Sequence, residues 1–325
     1  MGEKMPQLVD VIIPMYNGSS NVQNIIAELH KQTFKGFRAI FVDDGSKDNT
    51  LEVLNEALKT VEFQYLVISK QNGGAGSARN AGMRMAEADY IVFVDNDDGL
   101  HEEFIEYMYR AVNESNSDLG ICSLQMSVVG DGAVPDERKE FCYKEITPEE
   151  AMKHYCKNWF GVYCLIMKRA MQQENNLFFD EECIYNEDAP FIADVIASSS
   201  KVAIIDQRLY LYYTHQGSLH RNPSLEKYYS ALKSFCDMEK KLLASEKPAA
   251  RVFNNMGSAR FYIATLRRSA VQMKYKEFLE LAKIIDFKKY KKQIKNLLLS
   301  QRIAAYAVLF SKPVFWVLMK LMFKD

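Results

Sequence analysis

The chain has six cysteines but no CxxC pair and no spacing that would gather thiolates on a metal. That argues against a structural zinc site and against a disulfide-stapled secreted fold. Reduced, mostly buried thiols in a cytoplasmic protein are the expectation. Met1–Gln7 lacks the apolar centre of a signal peptide. No apolar stretch is long enough to cross a bilayer: the nearest, Ile303 to Phe323, is broken by Ser311-Lys312-Pro313 and by Lys320. There is no internal repeat and no low-complexity segment. No GxGxxG follows the first strand, so a dinucleotide-binding fold is not expected.

What is present is a globular composition. Of 325 residues, 48% are hydrophobic and 12% aromatic, too apolar for a disordered chain. The length suits one large domain, or one domain with an appendage. The net charge of −1 conceals an asymmetry. Residues 288–325 hold eight lysines and Arg302 against Asp325, a net +8, which leaves −9 on the first 287.

The first half alternates strand and helix signals. Strands are expected at Leu8–Pro14, Phe37–Val42, Phe63–Ser69 and Tyr90–Val94. Helices are expected at Asn21–Lys31, at Asp48–Lys59 behind the capping residues Ser46, Asp48 and Asn49, and from the glycine-rich Asn72–Gly76 through Ala86. Such alternation predicts βαβ units and a parallel sheet with helices on both faces. Further on, the pattern predicts a helix over Glu102–Val112, a strand over Asp118–Val129, a polar turn at Gly130–Lys139, helices over Glu145–Tyr155 and Glu187–Ala197, and short strands at Lys201–Ile205 and Arg208–Tyr213. Beyond Pro223 the signal is helical: Leu225–Leu243, Ala249–Ala270, Tyr275–Ile285 and Phe287–Leu299. A boundary is expected near residue 222.

Ligands of such sheets bind beyond the carboxyl ends of the strands. The four ends read Pro14-Met15-Tyr16-Asn17, Asp43-Asp44-Gly45-Ser46, Lys70-Gln71-Asn72-Gly73-Gly74 and Asp95-Asn96-Asp97-Asp98, all polar or glycine-rich. The last puts three carboxylates within four residues, which repel unless protons or a cation neutralise them. Hard oxygen ligands that leave room for phosphates suit Mg²⁺ or Mn²⁺. An EF-hand loop is excluded, because its sixth position needs glycine and here holds Leu100. A phosphatase nucleophile would sit on the first strand, not the fourth.

The other ends read two ways. Asp43-Asp44 suits a carboxylate that accepts from a base or ribose, and equally a turn rich in capping residues. The glycines before Arg79 suit either close approach to an anion or a flexible turn. In Asn186-Glu187-Asp188 a carboxylate is either a general base or a favourable charge at a helix start, and spacing does not choose between Glu187 and Asp188. A lone histidine such as His215 is more often structural than a ligand.

Taken in order, Ile12–Asn17, Phe41–Thr50, Gly76–Asn80 and Phe93–Asp98 strongly resemble the family 2 glycosyltransferases of GT-A fold. Asn186-Glu187-Asp188 and Tyr212–Ser218 resemble later, looser landmarks of that family, so the likeness reaches about residue 222. It implies a GT-A domain over 1–222, with a nucleotide-binding half (1–110) and an acceptor half (111–222). The helical region 223–325 is not covered. The resemblance also implies inverting transfer from a nucleotide sugar, usually UDP-linked, to a hydroxyl of a glycan or lipid-linked acceptor, and no nucleic-acid partner. Pro14, Tyr16 and Asp44 would border the uracil, while Asn17, Asn72, Gly73 and Arg79 would help hold the nucleotide. Asp95 would face the ribose, Asp97 would bind Mn²⁺ or Mg²⁺ with His215 close by, and Asp188 would be the base.

Two other activities use nucleotides on a parallel sheet. A sugar-nucleotide nucleotidyltransferase expects a glycine- and Arg/Lys-bearing loop straight after the first strand, where this chain has Met15-Tyr16-Asn17-Gly18. A catalytically silent nucleotide-binding module would have no need of Asp97 and Asp188. The basic tail, residues 288–325, interleaves lysines with Ile303, Tyr306, Phe310, Phe315 and Trp316, which suits either an anionic membrane surface or packing on the domain.

Overall fold

The computed structural model describes residues 7–128, 140–214 and 224–322. Strands β1 (Val9–Met15), β2 (Phe37–Asp43), β3 (Gln64–Ser69) and β4 (Tyr90–Phe93) lie parallel in the order β3-β2-β1-β4. Helices α1 (Val22–His30), α2 (Thr50–Ala57) and α3 (Gly74–Arg84) make the crossovers. Successive residues of β1 serve opposite faces, as a strand requires. Val9, Val11 and Ile13 pack toward α1 and α2, while Ile12 packs toward α3. Both faces are covered, which is why the strand reads as an unbroken apolar run. Its one exception, Asp10, is fully buried and takes Arg38 at 2.8 and 3.1 Å and the Ala88 amide at 2.9 Å.

The second half extends the same sheet with mixed direction. Its elements are β5 (Gly99–Leu100), α4 (Phe104–Ser115), β6 (Leu119–Val128), β7 (Lys144–Ile146), α5 (Pro148–Asn158), β8 (Leu165–Lys168), α6 (Arg169–Glu174), α7 (Asp188–Ser198) and β9 (Val202–Thr214). Strand β8 runs antiparallel to β4 and β6, β9 runs parallel to β6, and β5 and β7 run antiparallel to β9.

Several elements differ from the sequence expectation. The two short strands after 200 are one strand, β9, with a register shift where Cys122 and Ser123 face it; the polar Asp206-Gln207 at that irregularity reads as a gap. Strand β8 has four residues, too few for a pattern. The helix expected over Phe287–Leu299 is a 3-10 turn, Phe287–Tyr290, and a single helical turn, α11 (Lys291–Ile294). The polar turn Gly130–Lys139 lies outside the described residues.

The C-terminal region is α8 (Leu225–Ala244), α9 (Pro248–Gln272), α10 (Tyr275–Ile284), α12 (Leu299–Phe310) and α13 (Lys312–Met322). Its apolar faces join the core of the sheet domain: Phe253, Ile263 and Leu266 of α9 share one buried cluster with Ala151, Met152 and Tyr155 of α5. The buried Glu239 of α8 accepts from the Tyr290 hydroxyl at 2.8 Å and so ties down the start of the basic tail. No helix among the described residues is long and apolar enough to cross a membrane.

Candidate active site

Parallel register sets Met15 beside Asp43 and Asp43 beside Ser69, so the first three strands end level. The loops beyond them interlock. Asn17, in the left-handed region at φ 47°, donates its amide to Ser46 Oγ at 2.9 Å and accepts from the Lys47 amide at 2.8 Å. Gly45, at φ 71°, lies so near the next loop that a Cβ there would sit 2.8 Å from the Asn72 amide nitrogen. A Cβ on Gly18 would overlap Asn96, which puts the β1 loop directly against the aspartate cluster. Pro14 is half-buried on this rim and Tyr16 is 46% exposed.

Asp44 is buried. Lys70 Nζ donates to it at 2.7 Å, and the amides of Gly73 and Gly74 donate at 3.0 and 2.7 Å. The anion at the glycine-rich start of α3 is therefore this chain's own carboxylate. Asn72 donates to the Asp44 carbonyl at 2.9 Å.

The aspartate cluster divides three ways. Asp95 accepts from Arg79 at 2.7 Å. Asp97 is half-buried. Asp98 is buried, with the Tyr210 hydroxyl donating at 2.8 Å and the Tyr213 amide at 2.9 Å. It caps no helix, since the residue before α4 is Glu103; it fastens the cluster to β9 instead. Burial, then the charges of Asp95 and Asp97, push its carboxyl up to about 8. That surplus of negative charge is what a divalent cation would relieve. Among the described residues no three His, Cys, Asp or Glu side chains converge as a ready ligand set. Mg²⁺ and Mn²⁺, which keep waters and share substrate phosphates, do not require one. His215 lies outside the described residues.

Asp188 opens α7, behind Asn186 at φ 54°. Burial raises its carboxyl to about 7; Glu187 and Asp95 add to the rise and Arg79 opposes it. Arg79 is 5% exposed and spans the two halves of the site, donating to Asp95 and to Glu187 at 2.7 Å each. Both of its terminal amino groups are therefore taken by carboxylates of this chain. Tyr210 and Tyr163, stacked with centroids 4.4 Å apart, are parts of the site that the sequence did not single out for it, and Glu187, a candidate base in the sequence, is found paired with Arg79. Their signal is spatial: Arg79 and Glu187 are 108 positions apart.

Arg79 thus links the strand-end carboxylate Asp95 to the start of α7, where Asp188 stands. Residues 10–169 match the family described as glycosyl transferase family 2. The chain belongs to the family 2 glycosyltransferases. The glycosyltransferase GlyG of Streptococcus pneumoniae is 29% identical over 225 residues, which are 67% of this chain and 74% of GlyG. TarS of Staphylococcus aureus, a poly(ribitol-phosphate) beta-N-acetylglucosaminyltransferase, is 26% identical over 216 residues, 65% of this chain but 36% of TarS. Residues 1–349 of TarS, solved with UDP and with UDP-GlcNAc, superpose with a TM-score of 0.72 at 18% identity, covering 98% of this chain and 91% of that one. The mannosyltransferase PcManGT of Pyrobaculum calidifontis, solved with GDP-Man and Mn²⁺, superposes at 0.59 and 14% identity over 99% of this chain and 89% of its own. These superpositions make the family member's fold GT-A, with a C-terminal helical region.

Proposed function

We propose that this enzyme transfers a hexosyl or N-acetylhexosaminyl group, with inversion, from a UDP-sugar to an acceptor hydroxyl during synthesis of a cell-surface polymer, and that Asp188 is its general base. One observation carries this reading: Arg79 joins the strand-end carboxylate Asp95 to Glu187, the residue next to Asp188, so a base and a nucleotide-binding carboxylate would share one rim. Pro14, Tyr16 and Asn17 form the uracil wall. Asp44, fixed by Lys70 and the Gly73 amide, offers the uracil a preset acceptor, and Asn72 steadies that loop. Asp95 takes the ribose. Asp97 and His215 would hold Mn²⁺ or Mg²⁺, which when bound neutralises charge developing on the leaving diphosphate. A carboxyl raised to about 7 is matched to deprotonating a hydroxyl as it attacks. The name of TarS supports N-acetylglucosamine as donor sugar and a polyol-phosphate acceptor.

Incubation with a panel of UDP-sugars and Mn²⁺ tests the reading. UDP release supports it, whereas pyrophosphate release would make the chain a nucleotidyltransferase.

The tail completes the proposal: α12 and α13 rest the enzyme on an anionic membrane at the cytoplasmic face, where a lipid-linked acceptor would lie. Ala304, Ala305, Val308, Phe315 and Met319 pack inward, whereas Leu299 is 71%, Phe310 85% and Leu321 66% exposed. Lys312 and Lys320 are spent on the carbonyls of Ala282 and Val271, and among the described lysines of the tail Lys288, Lys289, Lys291, Lys292 and Lys295 are exposed. Apolar surface beside such a cluster suits anionic lipid better than a second, equally basic copy. Phe310→Glu with Leu321→Glu is expected to reduce sedimentation with phosphatidylglycerol vesicles by about tenfold or more. Undiminished binding would contradict the assignment.

A further inference from the structure

Helix α3 carries more polar side chains toward the segment before Asp188 than a nucleotide requires. Asn80 clamps Phe179 in both directions, accepting from its amide at 2.8 Å and donating to its carbonyl at 2.9 Å. Ser77 and Arg84 each donate to Glu181 at 3.0 Å. Arg79 completes the series at Glu187, and its guanidinium lies 5.5 Å from the centroid of the Phe179 ring. The segment from Phe179 to Glu187 is thus fastened to α3, whose first amides hold Asp44.

We propose that Asp95, Arg79 and Glu187 form a charge bridge, centred on the buried Arg79, that sets the position of Asp188 relative to the bound nucleotide, which makes Glu187 a positioning residue of the transfer reaction. Arginine suits the task because its planar fork engages two carboxylates at once without losing its charge. At Arg79 one amino group goes to the nucleotide side and the other to the base side. Two carboxylates on one cation leave a net negative charge beside Asp188. Glu187 therefore contributes both geometry and field: it fixes the start of α7 and, as a like charge, helps keep the Asp188 carboxyl high. The inference rests on Asp188 being the base.

The test uses the full chain and the variants Glu187→Gln, Glu187→Ala, Arg79→Lys and the double variant Glu187→Ala/Arg79→Lys. The groups facing Asp188 are Glu187, Arg79, Asp95, the phenols of Tyr155 and Tyr163 and the thiol of Cys164; Glu187→Gln changes the charge of one of them only. Glutamine still accepts from Arg79. Glu187→Gln is expected to move the pH of half-maximal UDP release from a UDP-sugar downward by roughly half a unit to one unit. Glu187→Ala is expected to lower kcat by about 10- to 100-fold, the loss that misplaced catalytic groups bring. The Kd for UDP, measured by calorimetry, is expected to stay within about twofold in both, since neither removes a nucleotide contact. An unmoved pH profile, or a Kd that weakens in step with kcat, would overturn the inference.

If the wild-type chain releases UDP from no UDP-sugar, the glycosyl-transfer reading fails on its own account. The bridge is then read from stability. The Glu187→Ala and Arg79→Lys losses in Tm should be non-additive in the double variant if the two side chains act as a unit. Simple additivity would sink the bridge.

Discussion

Asp188→Asn is expected to lower UDP release from a UDP-sugar by about 10²- to 10⁴-fold, the range a general base contributes, with the Kd for UDP unchanged. The substitution keeps the size of the side chain and removes its capacity to take a proton. The same carboxyl sets the pH dependence. It is raised to about 7, so it is protonated and inactive below that pH, and the rate should climb with pH through 7 and then level. Stability moves the other way. A carboxyl whose folded value lies above its unfolded one favours the native state at low pH, and that contribution is lost as pH rises from about 4 through 7. In Asp188→Asn this part of the fall in Tm between pH 5 and 7 should disappear. Equal turnover by the variant and the parent would move the proton transfer to another group.

Asp97→Ala is the second large effect. Turnover with Mn²⁺ should drop by about 10²- to 10³-fold, as when a group stabilising developing charge is removed. The joint thermal shift produced by Mn²⁺ with UDP should shrink, while the shift from uridine alone stays. The contrast separates the ends of the proposed site: uridine would lie on the β1 and β2 loops, whereas the diphosphate would depend on the cation. Asp98→Ala should behave differently, because Asp98 is buried against Tyr210 and Tyr213. Its loss strands two donors and costs stability of about 1–3 kcal/mol each, read by urea unfolding.

The parallel half of the fold was open to reading because each element there is set by local pattern. β1 and β2 are apolar on both faces, and α1 carries Val22, Ile25, Ile26 and Leu29 at helical spacing. The strand-end residues were readable for the same reason, since loops at level strand ends must meet. What stayed hidden depends on distant partners. Strand β8 is made by pairing with β4 and β6 on either side, not by its own four residues. The motif Gly76-Ser77-Ala78-Arg79-Asn80 looks like a phosphate loop in sequence, yet its side chains reach Phe179, Glu181 and Glu187 roughly a hundred positions later. The aspartate cluster divides just as invisibly. One member pairs with arginine, one is half-buried at the site, and one is buried as a structural anchor because β9 returns beside it.

The account rests on a single displacement, with the base and the leaving diphosphate on opposite faces of the sugar. The most direct test follows the anomer first formed when the enzyme and Mn²⁺ turn over an α-linked UDP-sugar such as UDP-GlcNAc with water or an added acceptor, read by proton NMR before mutarotation. The account predicts the β-anomer. An α-anomer as first product would mean retention, and would contradict Asp188 acting as the base of a direct displacement.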